Sequence, residues 1–338
     1  MNEPKVTASI VGARGYSGLE LAKLLLRHPF VDLTHCFATR PFRLSDDIFD
    51  ERAKTVTCLT DEQILSHLTD VVFLATPAEV SLKLAPQILD AGKRVIDLSG
   101  ALRLKRNDTK KWYGFESANL EILNQAQYGL VPFVGPLTSK VIANPGCYAT
   151  AIAMALIPLL KHELINPDHL AIDAKSGTTG AGRKADENMI FAEVDEGCQP
   201  YRVGKHQHFP EIQESVLKFS STNIDPHFVT HLLPIRRGIT AAIFAKAKTK
   251  KIEDIAAAFD REYANYPLVR HGTDIARLGK IQSVVGSAFT HISYALNEDK
   301  LYVFSVLDNL LKGAASQAVE NLNRMLDLSP AFALIEEE

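Results

Sequence analysis

Among the four cysteines, Cys147 stands where a thiol could act as a nucleophile. Val141–Ala143 reads as a short strand, and Asn144-Pro145-Gly146 as a turn that reverses the chain. Tyr148 to Leu160 reads as an apolar helix in which Pro158 marks an end or a kink. Cys147 is therefore expected at a helix N-terminus, where the macrodipole favours the thiolate, the form that attacks a carbonyl carbon. Cys36, Cys58 and Cys198 are scattered without C-x-x-C spacing and are expected to be small buried hydrophobes. That spacing argues against a disulfide framework or a zinc site, and no metal is expected.

A thiol nucleophile needs a proton carrier, and Lys205-His206-Gln207-His208-Phe209-Pro210-Glu211 supplies two candidates. Two histidines at i and i+2 project to one side if the chain is extended. No third metal ligand accompanies them, so a general acid/base is the better reading. Lys175 to Lys184 is rich in glycine, hydroxyls and positive charge. Such a loop, through Ser176, Gly177 and Gly180, can approach a phosphate or a nicotinamide closely.

The positioning elements begin at the N-terminus. Thr7–Val11 reads as a strand, followed by Gly12-Ala13-Arg14-Gly15-Tyr16-Ser17-Gly18 and an apolar helix closing near His28-Pro29. Strand, glycine turn and helix in that order are what a dinucleotide pyrophosphate site requires. The next strand, Val31–Ala38, ends in Thr39-Arg40, where an NAD site usually carries an acidic residue. A hydroxyl and a guanidinium there suit the 2′-phosphate of NADP(H), and Asp32 lies at the wrong end to reject it. Val71–Ala75 and Arg94–Leu98 read as further strands, with helical stretches at Asp61–Leu68 and Glu79–Ala91. Thr76-Pro77 follows a strand at the edge where cofactors lie. The alternation predicts an α/β fold with a doubly wound parallel sheet, a Rossmann domain.

The chain has 338 residues, 46% hydrophobic and 23% charged, which suggests two domains. A net charge of −3 gives no pull towards nucleic acid or an anionic membrane. No apolar run is long enough to span a bilayer, and the first residues lack a signal-peptide pattern, so a cytoplasmic location is expected.

Taken together, these segments resemble the N-acetyl-γ-glutamyl-phosphate reductase family, relatives of aspartate-semialdehyde dehydrogenase. The matching stretches are Gly12–Gly18, Asp97–Arg103, Tyr128–Pro132, Asn144–Thr150, Ser176–Gly182, His206–Ile212 and Asp308–Ala315. Pro-Gly-Cys-Tyr and His-x-His-x-Pro-Glu-Ile are the specific ones. The resemblance implies an NADP-binding Rossmann domain over 1–146 and 309–338, its last helix returning to it, and an α+β catalytic and oligomerisation domain over 147–308. It also implies a cysteine thioester on the way from N-acetylglutamyl 5-phosphate to the 5-semialdehyde in arginine biosynthesis, with hydride from NADPH and release of inorganic phosphate. His208 is the first choice for the proton shuttle, with His206 next. The cofactor would meet Gly12, Arg14, Gly15, Tyr16, Ser17, Gly18, Thr39, Arg40, Thr76, Pro77, Ser99, Ser176, Gly177, Gly180 and Asn309. The substrate's anionic groups would meet Arg103, Asn144, Arg183, Lys184, Glu211 and Arg236, and the chain would form a homodimer or homotetramer. Rival readings are aspartate-semialdehyde dehydrogenase, a carrier-protein-linked aminoadipyl-phosphate reductase, and a non-catalytic NADP-binding protein.

Overall fold

The computed structural model describes residues 6–105, 109–183 and 187–335. Its first sheet is built from β1 (Val6–Val11), β2 (Val31–Ala38), β3 (Thr57–Thr60), β4 (Val71–Leu74), β5 (Arg94–Asp97), β6 (Gln127–Tyr128) and β7 (Val141–Ala143). All pairings are parallel, in the order β3-β2-β1-β4-β5-β7-β6. A parallel sheet is covered on both faces, and β4 meets that demand with Val-Val-Phe-Leu, fully buried throughout. The order reverses between β1 and β4, so the crevice for a ligand opens at their carboxyl ends.

Helix Tyr16–Arg27 packs against helix Ser316–Met325. The buried His28 Nε2 lies 2.8 Å from Asn323 Oδ1 within that contact. Met1–Pro145 and Ala314–Glu338 form one unit, and Gly146–Gly313 the other.

The second unit holds a mixed sheet of β8 (Ile165–Gly177), β9 (Gln199–Tyr201), β10 (His227–Leu233), β11 (Ile239–Ala247), β12 (Val269–Gly272), β13 (Thr290–Asn297) and β14 (Lys300–Leu307), in the order β12-β13-β14-β11-β8-β10-β9. β11 alternates strictly: Ile239, Ala241 and Ile243 are buried, whereas Phe244 and Lys246 are exposed on the opposite face. Against the buried face lies helix Cys147–Lys161, in contact with β8, β11 and β14 and flanked by helices His208–Ser220 and Ile252–Tyr263. Tyr148 to Leu160 is buried on all sides, which explains a helix with no polar face.

Four local expectations are corrected. Asp61–Ser66 is a short 3₁₀ helix that opens on the Thr60–Gln63 capping box and ends before β4. Pro158 does not end its helix, which continues to Lys161. The carbonyl of Met154, deprived of its helical donor by the proline, accepts instead from the Tyr263 hydroxyl. The last helix is preceded by a π turn at Leu311–Ala315. Of the three cysteines expected to be buried, Cys36 is, Cys58 is half-buried, and Cys198 is exposed.

Candidate active site

Cys147 is the first residue of its helix, with Gly146 as the extended N-cap. Gly146 N–H donates to Glu211 Oε1 at 2.7 Å, while its carbonyl accepts from Thr150 N–H at 2.8 Å and Thr150 Oγ1 at 2.9 Å. The backbone that leads into Cys147 is thus gripped from both sides. A cavity of about 520 Å³ opens over it, lined among others by Tyr148, Ser176, Gly177, Gly180, Tyr201, His206 and His208. A second cavity of about 410 Å³ lies behind His206, walled by Val203, Phe209, Phe228 and Phe244. It is more apolar and has no cysteine in its lining, whereas Cys147 lines the first.

The two histidines do not lie on an extended segment. Gln207 is α-helical in its backbone angles and His208 opens helix His208–Ser220, so the pair turns with the helix start. The rings meet edge-on at 5.1 Å, and His208 N–H donates to His206 Nδ1 at 3.1 Å. A neutral His206 therefore carries its proton on Nε2. Rings of Tyr148, Tyr201 and Phe228 enclose it at 5.2, 5.6 and 5.6 Å. This burial, with His208 and Arg202 adding positive charge, pushes the His206 imidazole down to about 2. His208 Nε2 instead lies 4.0 Å from Glu211 Oε2. The buried Glu211 carboxylate thus joins the histidine to the turn before the nucleophile.

His206 carries a pH signature for stability. The folded chain keeps it neutral at pH values where the unfolded chain, at the ordinary 6.5, binds a proton. Stability is therefore lost as pH falls below 6.5 towards 2. His206→Gln is expected to flatten that acid-side decline in urea midpoints measured from about pH 7 to 4. An unchanged slope would contradict the neutral assignment.

The cofactor residues expected in the first unit cluster at the crevice. Gly12 sits at φ +84°, and a Cβ there would lie 2.3 Å from the Ala75 carbonyl oxygen. A Cβ on Gly18 would lie 2.4 Å from the Gly12 carbonyl oxygen. Arg14, Gly15, Tyr16 and Ser17 are half-buried around the helix start, which has no acidic side chain in its first turn. These are the features of a pyrophosphate cradle. Thr39 and Arg40 stand exposed just beyond the end of β2. Thr76 Oγ1 bonds Ser81 Oγ at 2.9 Å, and exposed Pro77 follows it. Ser99 donates to Asp97 Oδ2 at 2.9 Å, and burial pushes the Asp97 carboxyl above its ordinary value.

In the second unit, Asn309 is buried, with its carboxamide joined to Gly238 N–H at 2.7 Å and Thr179 Oγ1 at 3.0 Å. The expected substrate residues do not form one group. Asn144 is fully buried, its carboxamide held by Ala314 O at 3.1 Å and Asn321 at 3.0 Å. Arg103, also buried, donates to the carbonyls of Asn144 at 2.8 Å and Leu98 at 2.7 Å. Both brace the turn before Cys147, because their polar atoms meet the chain itself. Arg183 and Arg236 are exposed, and Lys184 lies outside the described residues.

Sequence reasoning missed Tyr201, whose hydroxyl donates to that of Tyr148 at 3.1 Å beside the cavity. Burial pushes the Tyr201 hydroxyl up to about 12, so it stays a donor. Its signal was weak, since Gln199–Tyr201 is a three-residue strand in a polar stretch.

The chain matches two protein families. Residues 7–141 match the semialdehyde dehydrogenase NAD binding domain. Residues 147–309 match the semialdehyde dehydrogenase dimerisation domain. It is 41% identical over 324 residues to N-acetyl-gamma-glutamyl-phosphate reductase of Streptococcus thermophilus, covering 94% of each chain. The Listeria monocytogenes enzyme of the same name is 38% identical over 335 residues, covering 96% of this chain and 97% of that one. Among solved structures, aspartate semialdehyde dehydrogenase II from Vibrio cholerae superposes with a TM-score of 0.72 at 17% identity, covering 96% of this chain and 99% of the other. That likeness speaks for the fold alone.

Proposed function

The chain belongs to the N-acetyl-gamma-glutamyl-phosphate reductase family, and from that membership we propose how its own residues carry the reaction. It is an NADP-dependent oxidoreductase of arginine biosynthesis that converts N-acetylglutamyl 5-phosphate to N-acetylglutamate 5-semialdehyde. The observation that carries the residue assignment is the meeting of Cys147, at the positive end of its helix, with His208 over one cavity, the buried Glu211 standing behind His208.

Cys147 Sγ attacks the acyl carbon, the bond to the phosphate oxygen breaks, and inorganic phosphate leaves a thioester. Bound NADPH supplies the hydride that reduces the thioester carbonyl. His208 protonates the oxyanion left by hydride addition and takes that proton back as the thiohemiacetal collapses and the Cys147 sulfur departs with the bonding electrons. The Tyr201 hydroxyl, its proton turned from Tyr148 to the substrate, donates to the carbonyl oxygen as charge grows on it. Glu211, expected to meet substrate, serves instead to orient His208 and the Gly146 turn. The pyrophosphate is held by the Gly12–Gly18 turn, and Thr39 with Arg40 take the 2′-phosphate. The exposed Arg183 and Arg236 are the substrate's anion partners.

Two copies meet through the sheet face that carries Phe244 and Lys246, as a homodimer or a homotetramer built from it. A small phosphorylated substrate and NADPH support a cytoplasmic setting. The reaction is tested in reverse, by phosphate-dependent NADP reduction with N-acetylglutamate 5-semialdehyde against aspartate semialdehyde. Activity confined to the acetylated aldehyde is expected. Activity only with aspartate semialdehyde would move the chain's substrate to that of its structural relatives.

A further inference from the structure

We propose that the Arg237–Asp308 ion pair, which lies outside the cavity, is a positioning pair that fixes the nucleophile and the glycine-rich wall from one anchor. The inference rests on Cys147 being the nucleophile. Asp308 is fully buried, and a buried carboxylate persists only where it is well paired. Its Oδ1 accepts from Arg237 Nη2 at 3.0 Å and from Leu310 N–H at 2.9 Å. Its Oδ2 accepts from Gly286 N–H at 2.7 Å and lies 2.8 Å from Arg237 Nε. Nη2 donates a hydrogen bond to one oxygen and Nε stands at ion-pair distance from the other, so one guanidinium spans both oxygens of the carboxylate.

From this anchor the chain runs two ways. The Asp308 carbonyl accepts from Gly313 N–H at 2.9 Å, the i to i−5 bond of the π turn Leu311–Ala315. That turn presses Gly313 against the nucleophile: a Cβ on Gly313 would lie 2.7 Å from Cys147 Cβ and 3.2 Å from its Cα. Gly313 is thus the floor on which Cys147 rests. The neighbouring Asn309 accepts from Gly238 N–H at 2.7 Å and donates to Thr179 Oγ1 at 3.0 Å. Thr179 Oγ1 in turn donates to the Arg236 carbonyl at 2.6 Å. Thr179 belongs to the turn Thr178–Ala181, whose Gly180 and Ala181 line the cavity. Arg237 sits in the chain between Arg236, whose carbonyl accepts one of these bonds, and Gly238, whose N–H donates another.

The test uses the full chain, measuring kcat, KM, NADPH affinity, and the rate of Cys147 alkylation by iodoacetamide across pH. Arg237→Ala is expected to lower kcat about 100-fold, the scale of a reacting group misplaced by about 1 Å. Alkylation should slow and its pH profile shift, and added methylguanidinium should restore part of both rates. Gly313→Ala should reproduce the alkylation change with the ion pair intact. A pair that serves only folding would lower the melting temperature and leave kcat per folded molecule as it was. Wild-type kcat and alkylation in folded Arg237→Ala overturn the proposal. If that variant does not fold, Arg237→Lys decides, since one ammonium cannot engage both carboxylate oxygens in parallel, and wild-type kcat there overturns it too. Cys147→Ser run alongside keeps the premise separate: turnover in that variant denies the nucleophile, whatever Arg237 does.

Discussion

Cys147→Ser is expected to lower kcat by about 10⁴-fold or more while leaving NADPH affinity and the melting temperature close to wild type. A serine hydroxyl fills the same position but is not ionised near neutrality, so the acyl-transfer step stops. The effect should be confined to chemistry because the groups that hold position 147 are backbone. Gly146 is bound through its N–H to Glu211 and through its carbonyl to Thr150, and neither bond involves the sulfur. The Gly12–Gly18 turn proposed to hold the pyrophosphate belongs to the other unit and contains none of these residues. Residual turnover within tenfold of wild type would mean that acyl transfer bypasses the thiol.

His208→Asn is expected to cost about 10³-fold in kcat with little change in KM, within the range of general acid–base catalysis. His206→Asn should cost less, because an imidazole held down to about 2 by burial cannot cycle through its charged form near neutrality. Glu211→Gln separates charge from hydrogen bonding. Its amide oxygen can still accept from Gly146 N–H, but the negative charge 4.0 Å from His208 Nε2 is gone. A fall of about tenfold in kcat, with the acid limb of the rate profile moving to lower pH, is expected. Equal losses in the two histidine variants would contradict the division of labour between them.

Much of this was legible in the residues. The first βα turn announces itself because a pyrophosphate cradle needs small residues at fixed offsets, and Gly12 and Gly18 stand where any Cβ would strike backbone. Cys147 was legible because a proline-glycine turn before an apolar helix leaves little choice of geometry. The histidine pair was found but its geometry was misread, since helix His208–Ser220 starts inside the motif without a side-chain cap to mark it. The substrate arginines were the weakest inference. Arg103 and Asn144 have the chemistry of anion binders, yet tertiary contacts from Leu98, Ala314 and Asn321 engage their polar atoms. Periodicity cannot reveal contacts between residues 41 or 177 positions apart in the chain. The Arg237–Asp308 pair escaped notice for the same reason, being formed across 71 positions.

The thioester itself is the most direct object of measurement. The protein is mixed with N-acetylglutamyl 5-phosphate in the absence of NADPH, quenched in acid, and read by intact mass and peptide mapping while released phosphate is counted. One acyl group on the Cys147 peptide with one phosphate released per chain, lost when NADPH is added, is the predicted result. Normal turnover with no adduct, or an adduct on another residue, would contradict the account.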